Sequence, residues 1–268
     1  LENCNYCYNE LLVLNMVKAV VFGELKHAGA AYNHDLRAIL FERRDEGLWR
    51  RAHHTRRNGN LYPTHGLGPV AFMLGINRGD RLDYLVSMST PEQGLSKWRA
   101  EHEATDPALA RERYVTGDLN SSLLRTVQGR TIRLEHDVSS PRPYSRINSI
   151  QGTVGIFEDY PARVYVEGEG ASHRWASIDE YKARYEHRLW TELGEKARGA
   201  GHGGMDYVMA WRLAQCMREG LAPDMDVYDA AAWSAPGPCS ELSVARGSMP
   251  VKIPDFTRGA WRQGRLTL

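Results

Sequence analysis

Tyr62, Pro63, Thr64 and His65 stand inside RNGNLYPTHGLGPVA, residues 57–71. A histidine takes or gives a proton near neutral pH, and a phenol hydrogen-bonds a hydroxyl or, with a lowered pKa, acts as a base. Pro63 suits the first turn of a helix, which would turn Tyr62 and His65 toward the same side. Gly66 and Gly68 remove side chains beside the histidine, so a ligand or cofactor could approach the backbone there. A histidine capping a helix, with a tyrosine packed on it, fits the spacing equally well. Tyr32 and His34 alternate on a predicted strand and share a face among alanines and glycines, a surface open to a ligand or simply an exposed edge. Arg50 follows Trp49; a guanidinium there suits a carboxylate or sugar hydroxyls, though solvated surface is the commoner fate of such an arginine. Tyr144 lies in SPRPYSRIN, a loop stiffened by Pro141 and Pro143, where a plain turn tyrosine is the simpler reading.

Other chemistries find less support. GHGGMDY, residues 201–207, lacks the Lys-Ser/Thr ending of a phosphate loop and reads as a closely packed, glycine-rich helix entry. His53, His54 and His202 show no helical metal-binding spacing, and no metal site is expected. Cys4 and Cys7 have redox or metal spacing, but Cys216 and Cys239 lie far apart, and free thiols near a strand end are the plainer reading. No G-x-G-x-x-G occurs, and no carboxylate pair stands out for ordinary glycoside hydrolysis.

The elements that must position these residues are legible in part. The stretch from Glu10 to Val21 has a helical spread of apolar residues, stopped at Gly23. ELKHAGAAYNHDLR reads as a strand, PTHGLGPVAFMLGI as a short helix and RLDYLVSMS as a strand. Residues 92–114 are polar and partly helical. Two strands flank Gln128-Gly129, and TVGIFED and ARVYVEG form a second pair around Tyr160-Pro161. From about residue 178 the pattern is helical, strongest in MDYVMAWRLAQCMREG with Gly220 as its stop, and the tail from Trp233 reads as an ordered wrapping segment. Strands in the middle with helices after them predict an α+β fold: an open, largely antiparallel sheet with helices on one face.

The length of 268 residues and 42% apolar content suit a globular core, and a net charge of +1 gives no reason to expect nucleic acid as a partner. No apolar run is long enough for a membrane span. The chain starts at Leu1 in structured-looking sequence, which reads as a cut; a targeting signal for a periplasmic or secreted location could precede it, and the compartment stays undecided.

LENCNY, ELLVLNMV, FGEL, AAYNHDLR, RNGNLYPTHGLGPVA, INRGDR, GHGGMDY, DMDVYDAAAW and PDFTRGAW occur in this order and together resemble glycoside hydrolase family 109. These are NAD-dependent α-N-acetylgalactosaminidases of the wider Gfo/Idh/MocA oxidoreductase group, and the resemblance runs from Leu1 to near Trp261. It implies that residues 1–22 end an N-terminal Rossmann domain for NAD, most of which is missing here. Residues 23–268 would be the substrate-binding and catalytic domain. It further implies Asn3 as a cofactor contact and Tyr32, Arg50, Tyr62, Pro63, Thr64, His65 and Tyr144 as the sugar-binding set. His65 is expected to act on the C3 hydroxyl of the sugar, with Tyr144 or Tyr32 serving the C2 proton or the leaving group. The substrate implied is an N-acetylgalactosamine-containing glycan, and without its NAD domain the chain is expected to be inactive or impaired. Open sheets in the wider group pair with a copy of themselves, so a homo-oligomer through the sheet face is an expectation. Two other readings stay open: an NAD(P)-dependent sugar oxidoreductase of the same group, and a non-catalytic sugar-binding or assembly domain.

Overall fold

A computed structural model describes residues 1–103 and 106–263. Its centre is a nine-stranded sheet. The strands are β1 (His27–Asn33), β2 (Leu82–Ser89), β3 (Asn120–Thr126), β4 (Thr131–Asp137), β5 (Ser149–Gln151), β6 (Gly155–Glu158), β7 (Arg163–Val166), β8 (Ala176–Ser177) and β9 (Val251–Lys252), in the order β8-β7-β6-β5-β1-β4-β3-β2-β9. β1 and β4 run parallel, with Tyr32 beside His136; the other neighbouring strands are antiparallel. The predicted α+β class with an open, largely antiparallel sheet is what the chain adopts.

One face of the sheet is covered and the other is open. On β3, Asn120, Ser122, Leu124 and Thr126 are buried while Ser121, Leu123 and Arg125 are exposed, the alternation that one-sided packing requires. The helices Thr64–Met73 and Pro236–Ala245 lie against β1 and β2. Residues at the start of the chain share the same core: Cys4, Tyr6, Leu11, Leu12, Met16 and Phe22 are buried with Leu67, Leu85 and Ile150. The helix expected after Glu10 forms at Tyr8–Lys18. Before it, where the sequence suggested a strand end, Asn3–Tyr6 make a 3₁₀ turn, capped by the Glu2 side chain accepting from the Cys4 amide. No helix among the described residues is long and apolar enough to cross a membrane.

The tail departs from its reading as a wrapping segment. Val227–Ser234 is helical as the pattern before Trp233 predicts, opened by a capping box of Asp226 and Asp229, but Pro236–Ala245, inside the tail, is a helix as well. Pro236 and Pro238 fall in the first turn of the second, where a missing N–H costs no hydrogen bond. Only the chain beyond that helix wraps, closing the sheet edge with β9.

The Thr64–Met73 helix crosses β1 so closely that its glycines are the contact. A Cβ on Gly66 would stand 2.4 Å from the Ala31 amide nitrogen and 2.5 Å from its carbonyl oxygen, and one on Gly68 would stand 2.4 Å from Asn5 Oδ1. These glycines therefore serve helix-to-strand packing, and the expectation that they open the backbone to a ligand is corrected. Gly66→Ala is expected to lower stability by about 2 kcal/mol or more, read by urea denaturation, since backbone on both sides leaves the methyl nowhere to go. An unchanged midpoint would mean that the helix slides off the strand at little cost.

Candidate active site

The crossing of helix and strand brings together side chains that lie far apart in sequence. Tyr32 projects from the end of β1, Tyr62 and His65 from the start of the Thr64–Met73 helix, Arg50 from the Gly47–His54 helix and Tyr144 from the loop after β4. Ring centres of Tyr32 lie 4.9 Å from Tyr62, 5.4 Å from His65 and 6.2 Å from Tyr144, and Tyr62 lies 4.7 Å from His65. His34 joins the group, its Nδ1 3.3 Å from the Tyr32 hydroxyl and its ring 5.0 Å from Tyr144. The Arg50 guanidinium sits 4.8 Å from the Tyr62 ring centre and 5.9 Å from that of Tyr32, anchored 2.7 Å from Glu46 and only 11% exposed. It is no solvated surface arginine. Pro63 immediately precedes the helix, and Thr64, its first residue, lines a largely apolar hollow of about 430 Å³ with Leu1, Glu2, Met225 and Trp233.

Asn3 makes none of the ring contacts described above; its Nδ2 donates to Asp206 at 2.7 Å. Asp206 also sits 2.6 Å from His202 Nδ1, so the GHGGMDY stretch is tied to the start of the chain. That stretch is a helix entry, as its glycines suggested: Gly204 has a positive φ of 96° and packs beside Ala197 and Trp190. The spacing Gly66-x-Gly68-x-x-Ala71 also offers no phosphate cradle, because it is buried against Ala31 and Asn5.

Several residues that spacing could not single out support the cluster. Glu2 is buried, and its Oε1 lies 2.8 Å from His65 Nδ1, close enough for charge pairing though too bent for a straight hydrogen bond. Burial alone pushes the Glu2 carboxyl up; the His65 ring beside it, the Cys4 amide and the Thr64 hydroxyl more than offset this and hold it below the usual carboxylate value. A carboxylate at Nδ1 favours the ring proton there and leaves Nε2 as the free base. Cys4 offers its sulfur within 4.8 Å of the same carboxylate and ring. Burial, with Glu2 and Glu10 nearby, raises its thiol far above the usual value, so it stays protonated and packs as a small apolar group.

Tyr144 is held from behind by Arg146, which donates to its hydroxyl at 2.9 Å and pairs with Glu10 in a contact where the two side chains are 5% and 1% exposed. Tyr160 meets Tyr144 edge-on, with ring centres 6.0 Å apart. Burial pushes the Tyr32 phenol up against the pull of Arg50, raises Tyr62, and takes Tyr144 to about 12 against the pull of Arg146. At neutral pH all these phenols carry their protons. They are donors as they stand, and the reading of Tyr62 as a lowered-pKa base is corrected. Nothing in the spacing of the sequence marked Glu2 or Arg146; the one available signal was that Glu2 adjoins Asn3 in LENCNY.

Comparison with known proteins extends the geometry. The family model for the C-terminal domain of glycosyl hydrolase 109 matches residues 6–263. The chain belongs to glycosyl hydrolase family 109. Family 109 proteins of Solibacter usitatus and Saccharopolyspora erythraea are 61% and 54% identical to it over 98% of its length. The chain spans 60% and 57% of those relatives. Among solved structures, a levoglucosan dehydrogenase in complex with NADH matches with a TM-score of 0.65 over 92% of this chain and 63% of that one, at 17% identity. An NAD-binding oxidoreductase from Klebsiella pneumoniae matches with a TM-score of 0.65 over 95% and 65%, at 14% identity. At such identities these neighbours establish the fold alone: this domain shares its open-sheet architecture with those oxidoreductases.

Behind Tyr32 and Tyr62, His54 and His136 are buried, and burial lowers their pKa values from 6.5 to about 4 and about 3. Both are neutral when folded and protonate near 6.5 when unfolded, so the unfolded chain binds more protons below that pH. Stability should therefore fall as pH drops from 6.5 toward 4, by about 1.4 kcal/mol per pH unit for each histidine. Urea titrations at stepped pH measure the slope. Since burial also lowers His187 to about 4, His136→Gln should remove about a third of it; an unchanged slope would show that His136 is not a contributor.

Proposed function

We propose that this chain forms the sugar-handling part of an NAD-dependent α-N-acetylgalactosaminidase acting on terminal residues of glycans. The observation that carries this reading is the convergence of Tyr32, Tyr62, His65 and Tyr144 on one surface, with His65 set against the buried carboxylate of Glu2. Membership of family 109 supports it, as does a fold shared with dehydrogenases in complex with NADH or NAD⁺.

The residues suit the reactive end of such a cofactor. Glu2 adjoins His65 and, with Thr64, lines the neighbouring hollow, and the Asn3 carboxamide oxygen can take a further donor beyond the Asp206 contact. They supply no phosphate loop, so in this reading residues 1–22 continue from a preceding nucleotide-binding domain and 23–268 form the substrate domain. When bound, the nicotinamide accepts hydride from C3 of the sugar and returns it at the end of the cycle.

The remaining work falls to side chains of this chain. His65, with Glu2 at Nδ1, takes the proton of the C3 hydroxyl. With C3 at the ketone level, the proton on C2 is acidic and the group on C1 can leave by elimination. Tyr32 and Tyr144, protonated as they stand, serve the leaving oxygen or, once deprotonated, the C2 proton. Arg50 and Tyr62 hold the sugar through its hydroxyls. Water then adds at C1 where the aglycone left.

The test is turnover of an aryl α-N-acetylgalactosaminide by the protein expressed from its complete reading frame, with nicotinamide absorbance followed alongside. Aglycone release without net NADH is expected; NADH accumulating with turnover would instead mark a sugar dehydrogenase. His65→Ala should lower kcat/KM by roughly 10²-fold or more. A near-normal rate would remove His65 from the role of base.

A further inference from the structure

Beyond β6 the sheet ends in a second hollow. A cavity of about 380 Å³ lies between β7, β8 and the helix Asp179–Tyr185, with Glu169, Arg174, Trp175, Glu180, Tyr181 and Arg184 on its walls. Trp175 is 43% exposed, although burial ordinarily stabilises an indole. The ring is nevertheless held: the Arg163 guanidinium stands 4.4 Å from its centre and is itself fixed 2.6 Å from Glu158. Around it are planar polar groups of both kinds. Glu169 accepts from the Tyr181 hydroxyl at 2.9 Å and faces Arg184 at 3.7 Å, and Glu180 accepts from the Ser177 amide at 3.3 Å. The exposed Arg174 enters no ion pair among the described residues.

This combination suits a pyranose. The C–H face of the ring is apolar and lies flat on an aromatic plane, while hydroxyls at the ring edge need donors and acceptors together. The cavity is large enough for one sugar, ligand pockets beginning near about 300 Å³. The cavity belongs to the same sheet as the Tyr32 cluster: β7 stands three places from β1 in the strand order, on the order of 14 Å across the sheet, a span that a few linked pyranoses can bridge.

We propose that this cavity is a second sugar-binding site, taking a further pyranose unit of the glycan whose terminal residue meets His65. The inference rests on the glycosidase reading above for its substrate, but binding at Trp175 can be tested without it. Trp175→Ala and, separately, Glu180→Gln are made in the complete protein; both residues are exposed, so folding should be unaffected and far-ultraviolet circular dichroism checks this. Each variant is compared with the unaltered protein on an aryl α-N-acetylgalactosaminide and on an α-N-acetylgalactosamine-terminated oligosaccharide. Aryl turnover should be unchanged, while Trp175→Ala lowers kcat/KM for the oligosaccharide on the order of tenfold through KM. Equal effects on both substrates, or none on either, would overturn the proposal. In parallel, the oligosaccharide lacking its terminal residue is titrated into each protein by calorimetry. Binding that Trp175→Ala weakens about tenfold sustains the site even if neither substrate is turned over; absence of binding to the unaltered protein, or binding indifferent to both substitutions, sinks it.

Discussion

The near-contact of Gly66 with the backbone of Ala31 is the constraint on which the rest depends. A helix normally stands about a side chain's depth away from a sheet. Here the missing Cβ lets the Thr64–Met73 helix settle onto β1, and Gly68 does the same against Glu2 and Asn5. The consequence is chemical as well as mechanical. His65 precedes Gly66, so seating the glycine fixes the imidazole between Tyr32 on the strand and Glu2 at the chain start. Tyr62, on the other side of Pro63, is carried in by the same movement. Pro69 adds to this: without an N–H it leaves the His65 carbonyl lacking its helical partner.

A second anchor works from the opposite side. Arg146 and Glu10 form a buried pair between the loop after β4 and the Tyr8–Lys18 helix, and the same guanidinium holds the Tyr144 hydroxyl. Paired charges in so dry a setting tolerate little displacement, because separating them leaves each uncompensated. The position of Tyr144 is thus set in part by a helix remote from it in sequence. The electrostatic result is a division of labour. Burial keeps the phenols protonated, while a buried carboxylate lies beside the His65 imidazole, so the cluster sets several proton donors around a ring backed by a carboxylate.

The domain is asymmetric in what it presents. One sheet face is packed, the other is open along β3 and β4, and the candidate chemistry sits at neither face but at the end of β1, where loops and helix starts gather. Family 109 relatives are longer than this chain, and the hollow beside Leu1, Glu2 and Thr64 lies where the chain enters the fold.

Local sequence determined a good deal by itself. Alternation marked the strands on either side of Gln128-Gly129 and Tyr160-Pro161, helical periodicity marked Met205–Glu219, and Gly220 ended it with a positive φ. The types and spacing of Tyr32, Arg50, Tyr62, His65 and Tyr144 named them as candidates, since a phenol, guanidinium or imidazole carries its chemistry wherever it lies. Tertiary structure alone decided which of their alternatives holds. Arg50 is half-buried against rings, the glycines pack instead of opening, and Glu2 and Arg146, silent in any local pattern, become the groups set against His65 and Tyr144. The reason is physical: a side chain's ionisation and orientation are set by neighbours within a few ångströms, and at this site those neighbours come from segments that only the folding of helix onto strand brings together.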